Sequence, residues 1–260
     1  YKNKVLSLGG GTNIPGKTHL GNQVNTMIEP GKPIGYFYGY KMDGVFQTQE
    51  EINNYRGGPD NTIIMPTAEP GDLKFVDLNG DGKLGEEDRT MIGNPHPDFT
   101  FGLTLSGEYK GFDLSMFFQG SVGNDILNIL KYDIYSGTGW YNAPKDIFDK
   151  FWTGPGSTNE NFAISANSRD NLTMSEWYIE NGSYVRLKNV TLGYTFPKQW
   201  VQKLTVQNLR LFVAAQNLFT ITSYSGLDPE LGNSNPAFMG IDMGWYPQAR
   251  SFMVGLSLKL

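Results

Sequence analysis

The residues with the most definite chemistry lie in DLNGDGKLGEED, residues 77–88. Asp77, Asn79 and Asp81 stand at loop positions 1, 3 and 5, Gly82 at position 6 permits a sharp bend, and Asp88 closes the loop at position 12. Lys83, at position 7, offers its backbone carbonyl. Oxygen donors at alternating positions curl around one hard cation, so the pattern points to Ca²⁺ held by Asp77, Asn79, Asp81, Lys83 and Asp88. Position 12 departs from the pattern, because Asp is shorter than Glu and less able to bind through both oxygens. Glu86 and Glu87 are adjacent alternative donors, and Gly85 at position 9 could act only through water. LKFV, just ahead of the loop, reads as strand rather than helix, so an ion here would stiffen a loop and not work a switch. The same residues also suit an ion-free Asn/Gly/Asp turn, and both readings stay open.

Other chemistries fall away on composition. There is no Cys, which removes disulfides and thiolate metal sites, and two histidines, His19 and His96, leave no His-rich zinc site. Net charge is −5, without the basic excess of a nucleic-acid binder. No GxSxG elbow occurs, and SLGGGTNIPGKT lacks the spacing of a phosphate loop. Glu50-Glu51 and Glu86-Glu87-Asp88 are not placed across a cleft by anything in the sequence, so no catalytic residue is assigned and the chain reads as a non-enzyme.

The elements that must carry the loop are strands. In FTFGLTLSGEY, Phe99, Phe101, Leu103, Leu105 and Tyr109 share one face, with Thr and Ser residues opposite. Lys110-Gly111 makes a two-residue hairpin turn, and Phe112, Leu114, Met116 and Phe118 return on the same face. SYVRLKNVTLGYTF alternates but changes phase between Leu187 and Val190, which a one-residue bulge near Lys188-Asn189 would reconcile and the strand's leaving the apolar slab there would reconcile equally well. Further strands cover 207–217 and 251–260, and YKNKVLSL at 1–8 reads as the end of another. Short helices are expected at Thr48–Tyr55 and Pro144–Trp152.

Between these six spans lie long Gly-, Pro- and Asn-rich connections at 9–98, 120–182 and 218–250, all joining the same strand ends. The opposite ends are joined by short turns. No stretch approaches 18 apolar residues, but a barrel strand needs only about 9–11 alternating ones, and long loops at one rim with short turns at the other are the asymmetry of an outer-membrane barrel. Six strands are too few to close a barrel, and both termini lie in strand register, so the chain is expected to be the C-terminal part of something longer. Aromatics, 13% of the chain, cluster at Tyr36, Phe37, Tyr38, Tyr40 and Phe46, at Tyr132, Tyr135, Trp140 and Tyr141, and at Trp177, Tyr178 and Tyr184. Most are expected to pack the loops against themselves.

The segments PGKPIGYFYGYKMDGVFQ, PGDLKFVDLNGDGKLGEEDRTMIGNPHPDFTFG, YKGFDLSMFFQGSVGNDI, ENGSYVRLKNVTLGYTFP, AAQNLFTITSYSGLDPE and GWYPQARSFMVGLSLKL together resemble the SusC/RagA-like TonB-dependent outer-membrane transporters of the Bacteroidetes. The resemblance covers most of the chain in the family's order. It implies a 22-stranded antiparallel barrel in the bacterial outer membrane, of which residues 1–260 would be about the last six strands with long extracellular loops. It further implies a SusD-like surface lipoprotein partner, TonB acting through a plug that this chain does not contain, contact with outer-membrane lipid, and import of oligosaccharides or peptides. The chain departs from the family at Leu260, where such barrels commonly end in an aromatic residue. The competing reading is a soluble all-β glycan-binding module stabilised by Ca²⁺. The two differ in whether Phe99, Phe101, Leu103, Leu114 and Leu256 face outward or pack into a core.

Overall fold

Period-two alternation becomes one twisted antiparallel wall with small folded bodies at one end. The computed structural model describes residues 3–17, 23–135, 142–164, 170–201, 206–232 and 235–259. Among these, the first long connection carries β1 (Ile14–Lys17), β2 (Val24–Ile28), β3 (Tyr36–Tyr40), β4 (Met42–Val45), helix α1 (Gln49–Asn54), β5 (Arg56–Gly57), β6 (Thr62–Ile63), β7 (Leu73–Phe75) and β8 (Arg89–Gly93). The hairpin β9 (Phe99–Tyr109) and β10 (Phe112–Val122) follows, then β11 (Asp125–Asn128), α2 (Leu130–Tyr135), α3 (Ile147–Lys150) and β12 (Ile179–Asn181). The chain continues with β13 (Tyr184–Thr195), α4 (Lys198–Val201), β14 (Asn208–Thr222), β15 (Ile241–Asp242) and β16 (Ser251–Lys259).

The wall has the order β16-β14-β13-β10-β9, antiparallel throughout. Lys110 and Gly111 both take positive φ, 49° and 88°, the turn whose twist matches the flanking strands. Of the two readings of the phase change, the bulge is the one that forms: Phe117 pairs with Asn189 and Phe118 with Leu187, leaving Lys188 as the extra residue. It preserves one apolar face. Leu105 opposes Met116, Leu114 opposes Leu192, Leu192 opposes Val213 and Val213 opposes Val254.

The strand anticipated at residues 1–8 does not form over the described residues 3–8. Val5 instead donates its N–H to the Lys32 carbonyl and accepts from the Gly31 N–H. Alternation alone does not make a strand; it needs a continuous ladder partner, and among the described residues only Val5 of this span is paired in that way. Among the described residues the wall therefore has five strands, not six, with β9 and β16 at its edges.

The long connections are not irregular. They form the sheets β1-β2-β3-β8 and β12-β11-β15 and the pairs β4-β7 and β5-β6 around a core of Phe37, Phe46, Phe75, Leu127, Ile129, Trp177 and Tyr178. Trp177 meets Phe162 and Tyr178 with ring centroids 4.9 Å apart, so the loop aromatics mainly pack one another. Trp140, Tyr141, His19 and Leu260 lie outside the described residues. Both expected helices occur, shortened. Thr48 caps α1 by accepting from the Glu51 N–H at 3.2 Å, and α3 keeps one turn of the expected span.

A buried ion network ties the last connection to the wall. Arg186, on β13, reaches Asp228 at 2.5 Å and Glu230 at 2.6 Å, while Lys188 reaches Glu230 at 2.7 Å. Burial would raise the Asp228 pKa, but Arg186 and the N–H groups of Gln248 and Glu230 hold it below the ordinary carboxylate range. That stabilisation is present above the unfolded value near about 3.9 and is lost as pH falls through the lower folded value. Removing Arg186 leaves a buried carboxylate without its cation, at a cost of about 3–5 kcal/mol. Arg186→Met should expose segment 223–231 to limited proteolysis at neutral pH, whereas the parent should release it only in acid; equal protection of both proteins would contradict this role.

Candidate functional site

Two features can do chemistry: the Asp/Asn loop and the two faces of the wall. The loop begins two residues after β7. Asp77 accepts the Gly80 N–H through Oδ1 at 2.7 Å and the Gly82 N–H through Oδ2 at 2.8 Å. Asn79 Oδ1 accepts from the Asp81 N–H and Asp81 Oδ1 from the Lys83 N–H, at 2.8 and 2.9 Å. Asp88, fully buried, accepts from Leu78 and Asn79 through Oδ1 and from Gly85 through Oδ2. Gly82 takes φ 84°, the bend expected at position 6, and the β5–β6 hairpin clamps it through a 2.8 Å bond from Thr62 Oγ1 to its carbonyl.

The curl anticipated from the sequence is thus present, closed by backbone N–H groups. Among the described residues no set of three or more His, Cys, Asp or Glu groups converges into a metal-sized cluster. The donor set is nevertheless all oxygen. The Asp77, Asn79 and Asp81 oxygens named above each take one of these N–H bonds, which leaves a further lone pair for a hard cation. Glu86 is engaged with Arg89 at 2.9 Å. No helix pair frames the loop: a strand precedes it and a short 3₁₀ turn, Glu86–Asp88, leads into β8.

The wall separates two chemistries. Phe99, Leu103, Leu114 and Leu256 are 55, 48, 38 and 58% exposed, and Phe101 on the same face is half-buried. Val213, Phe252, Val254 and Leu258 extend this belt across β14 and β16. Outward exposure of the belt counts against a soluble module with these side chains in its core. The opposite face carries Gln119, Asn189, Thr220 and a two-pronged ion pair of Arg210 with Asp113. Gly193 lies between those partners, where a Cβ would collide with both.

The sequence did not reveal that Arg186, Asp228 and Glu230 form one network. The one signal was a pair of cations, Arg186 and Lys188, close together in one alternating strand.

No protein-family model matches the chain. Over 272 residues it is 37% identical to "TonB-dependent receptor P3" of Formosa agariphila, covering 99% of this chain and 26% of that protein. It is 31% identical to "TonB-dependent receptor P26" of the same organism, with the same coverage of each. It is 28% identical to "TonB-dependent receptor SusC" of Bacteroides thetaiotaomicron, covering 99% of this chain and 23% of the relative. A structure of the RagAB peptide importer in its open-open state superposes with TM-score 0.69 at 20% identity, over 99% of this chain and 25% of that one. The RagAB peptide transporter superposes with TM-score 0.70 at 22% identity, over 98% and 26%. The chain spans about a quarter of the length of the curated relatives it matches. These relatives are receptors and importers rather than enzymes. Over almost its whole length the chain is thus similar to part of TonB-dependent receptors, SusC among them, and its wall and loop bodies share their fold with part of the RagAB structures.

Proposed function

We propose that the protein containing this chain is a bacterial outer-membrane nutrient importer, and that residues 1–260 form a C-terminal part of its barrel. The observation that carries the reading is the wall itself. One face is apolar on all five strands, the other is mainly polar although it also carries Phe117, Phe212 and Met253, and every long connection leaves from the same rim. In this reading the apolar belt meets lipid, the polar face lines the lumen, and the loop bodies stand outside the cell. Cargo, an oligosaccharide or a peptide, is captured there beneath a SusD-like lipoprotein lid, the counterpart of the partnership named in RagAB. TonB energises uptake through a plug outside this chain. Purification of the full-length protein from outer membranes tests the assembly: a surface lipoprotein should co-purify with it, and recovery from the soluble fraction without one would overturn the reading.

The belt gives a sharper expectation. Val254→Arg places a cation on the lipid face and should cost about 2–4 kcal/mol if that position lies near the bilayer midplane. Ser257→Arg, on the opposite face, should cost far less. Urea titration of heat-modifiable folded barrel in vesicles checks this, and equal costs at the two positions would contradict the orientation of the wall.

For loop 77–88 the reading includes Ca²⁺, supported by the alternating oxygens of Asp77, Asn79 and Asp81, the carbonyl position of Lys83, and Asp88 at the closing position. The ion would brace the first outer body and take no part in transport chemistry. Calcium at a hundred times its dissociation constant should stabilise the full-length receptor by about 2.7 kcal/mol. Asp81→Asn should weaken that gain. No heat of binding and no thermal shift on adding Ca²⁺ after chelation would sink the proposal.

A further inference from the structure

Asparagine followed by glycine is a reactive pair, and it occurs twice, at Asn79-Gly80 and at Asn181-Gly182. The backbone nitrogen of the glycine can attack the asparagine Cγ, closing a five-membered imide and expelling ammonia. Glycine allows this because no Cβ crowds the nitrogen. The nitrogen must still shed its proton and swing towards Cγ. The two pairs are equal in sequence and unequal in the fold.

Asn181-Gly182 is held at the end of β12. Asn181 pairs with Asp125 of β11, and the Gly182 N–H donates to the Asn124 carbonyl at 2.8 Å. Gly182 is buried, and a Cβ there would run into Asn124 and Ile126. Freeing this nitrogen means opening the sheet end and moving packed neighbours. Asn79-Gly80 lies outside every strand, with both residues exposed. Gly80 takes φ 73°, and nothing lies within 4 Å of the position its Cβ would occupy. Its N–H donates to Asp77 Oδ1 at 2.7 Å, a bond that opens by movement of an exposed loop alone.

The two carboxamides themselves are matched. Asn79 Oδ1 accepts the Asp81 N–H at 2.8 Å, and Asn181 Oδ1 accepts the Ser183 N–H at 2.8 Å. Each bond polarises its carbonyl and steadies the negative charge that grows on Oδ1 as the nitrogen attacks. The electrophile is equally prepared at both sites, and what separates them is the freedom of the nitrogen.

We propose that Asn79-Gly80 is a self-modification site of the folded protein, and that the fold protects Asn181-Gly182 from the same reaction. Hydroxide removes the Gly80 N–H proton, the bond from that nitrogen to Asn79 Cγ forms, and the Cγ–Nδ2 bond breaks. The leaving nitrogen takes a proton from water and departs as ammonia, which returns the hydroxide. Water then opens the imide. Cleavage at Cγ leaves aspartate, and cleavage at the Asn79 backbone carbonyl leaves isoaspartate. Both products put a carboxylate in place of a neutral amide between Asp77 and Asp81, adding one negative charge to the loop. Isoaspartate also lengthens the main chain there by one carbon. The reaction uses only water, and the inference depends neither on an ion in the loop nor on the importer reading.

The test compares the full-length receptor, folded in detergent with a chelator present, with the same protein unfolded in urea. Both are incubated in mildly alkaline water enriched in heavy oxygen. Mass spectrometry of proteolytic peptides then reads heavy-oxygen carboxyl formation at positions 79 and 181 separately. Folding should slow conversion at 181 at least tenfold more than at 79, so that the folded receptor accumulates product at 79 alone. Equal slowing at the two positions would overturn the proposal, as would an Asn79 left intact in the folded receptor while the unfolded chain converts.

Discussion

The structure depends on one constraint, the two-residue period of a strand locked by its cross-strand register. A slip of one residue would carry every belt side chain to the polar face. Register must therefore be held through five strands in a chain whose fourth anticipated span changes phase halfway along. The bulge at Lys188 reconciles the two halves. Below it, Leu192 and Val190 face outward beside Leu114 and Met116; above it, Leu187 stays on that face beside Phe118. Without the extra residue, one half of β13 would point its apolar side chains at the polar face.

The same strand anchors what stands above the wall. Past the bulge, Arg186 turns to the polar face, where Thr220 of β14 orients it and Asp228 and Glu230 of the following connection close on it. That connection then supplies β15, whose parallel pairing with β11 joins it to the second connection. The first connection joins the second through backbone bonds, Tyr40 donating to the Met174 carbonyl at 3.0 Å and Asp125 to the Asn94 carbonyl at 2.7 Å. The outer bodies thus share a core, and the loop containing Asp88 is one corner of it.

What could be read from the residues follows from the range of the forces that set it. The Lys110-Gly111 turn, the phase change at Lys188-Asn189, the short helix within Thr48–Tyr55 and the alternation of β9, β10 and β16 are local and were legible. The span at 1–8 shows where locality fails: Leu6 and Leu8 fit an alternating face, but a strand needs a partner and the sequence cannot name one. The small sheets within the connections were missed because β11 and β15 are short, paired in parallel and more than a hundred residues apart. The loop at 77–88 was legible as a curl, since its Asx bonds are two to five residues long, but not that the Asp88 carboxylate would be fully buried on three N–H groups.

The central claim is that alternate residues of the wall face lipid, and it can be read one position at a time. This chain has no Cys, so single cysteines at positions 252 to 258 can carry nitroxide labels in the full-length receptor, with any cysteine elsewhere in it replaced, reconstituted into bilayers. Relaxation by oxygen, which concentrates in lipid, and by a water-soluble nickel complex should alternate with period two. Positions 252, 254, 256 and 258 should favour oxygen, and positions 253, 255 and 257 the nickel complex. A run with no alternation, or one in which the even positions are reached from water, would contradict the account.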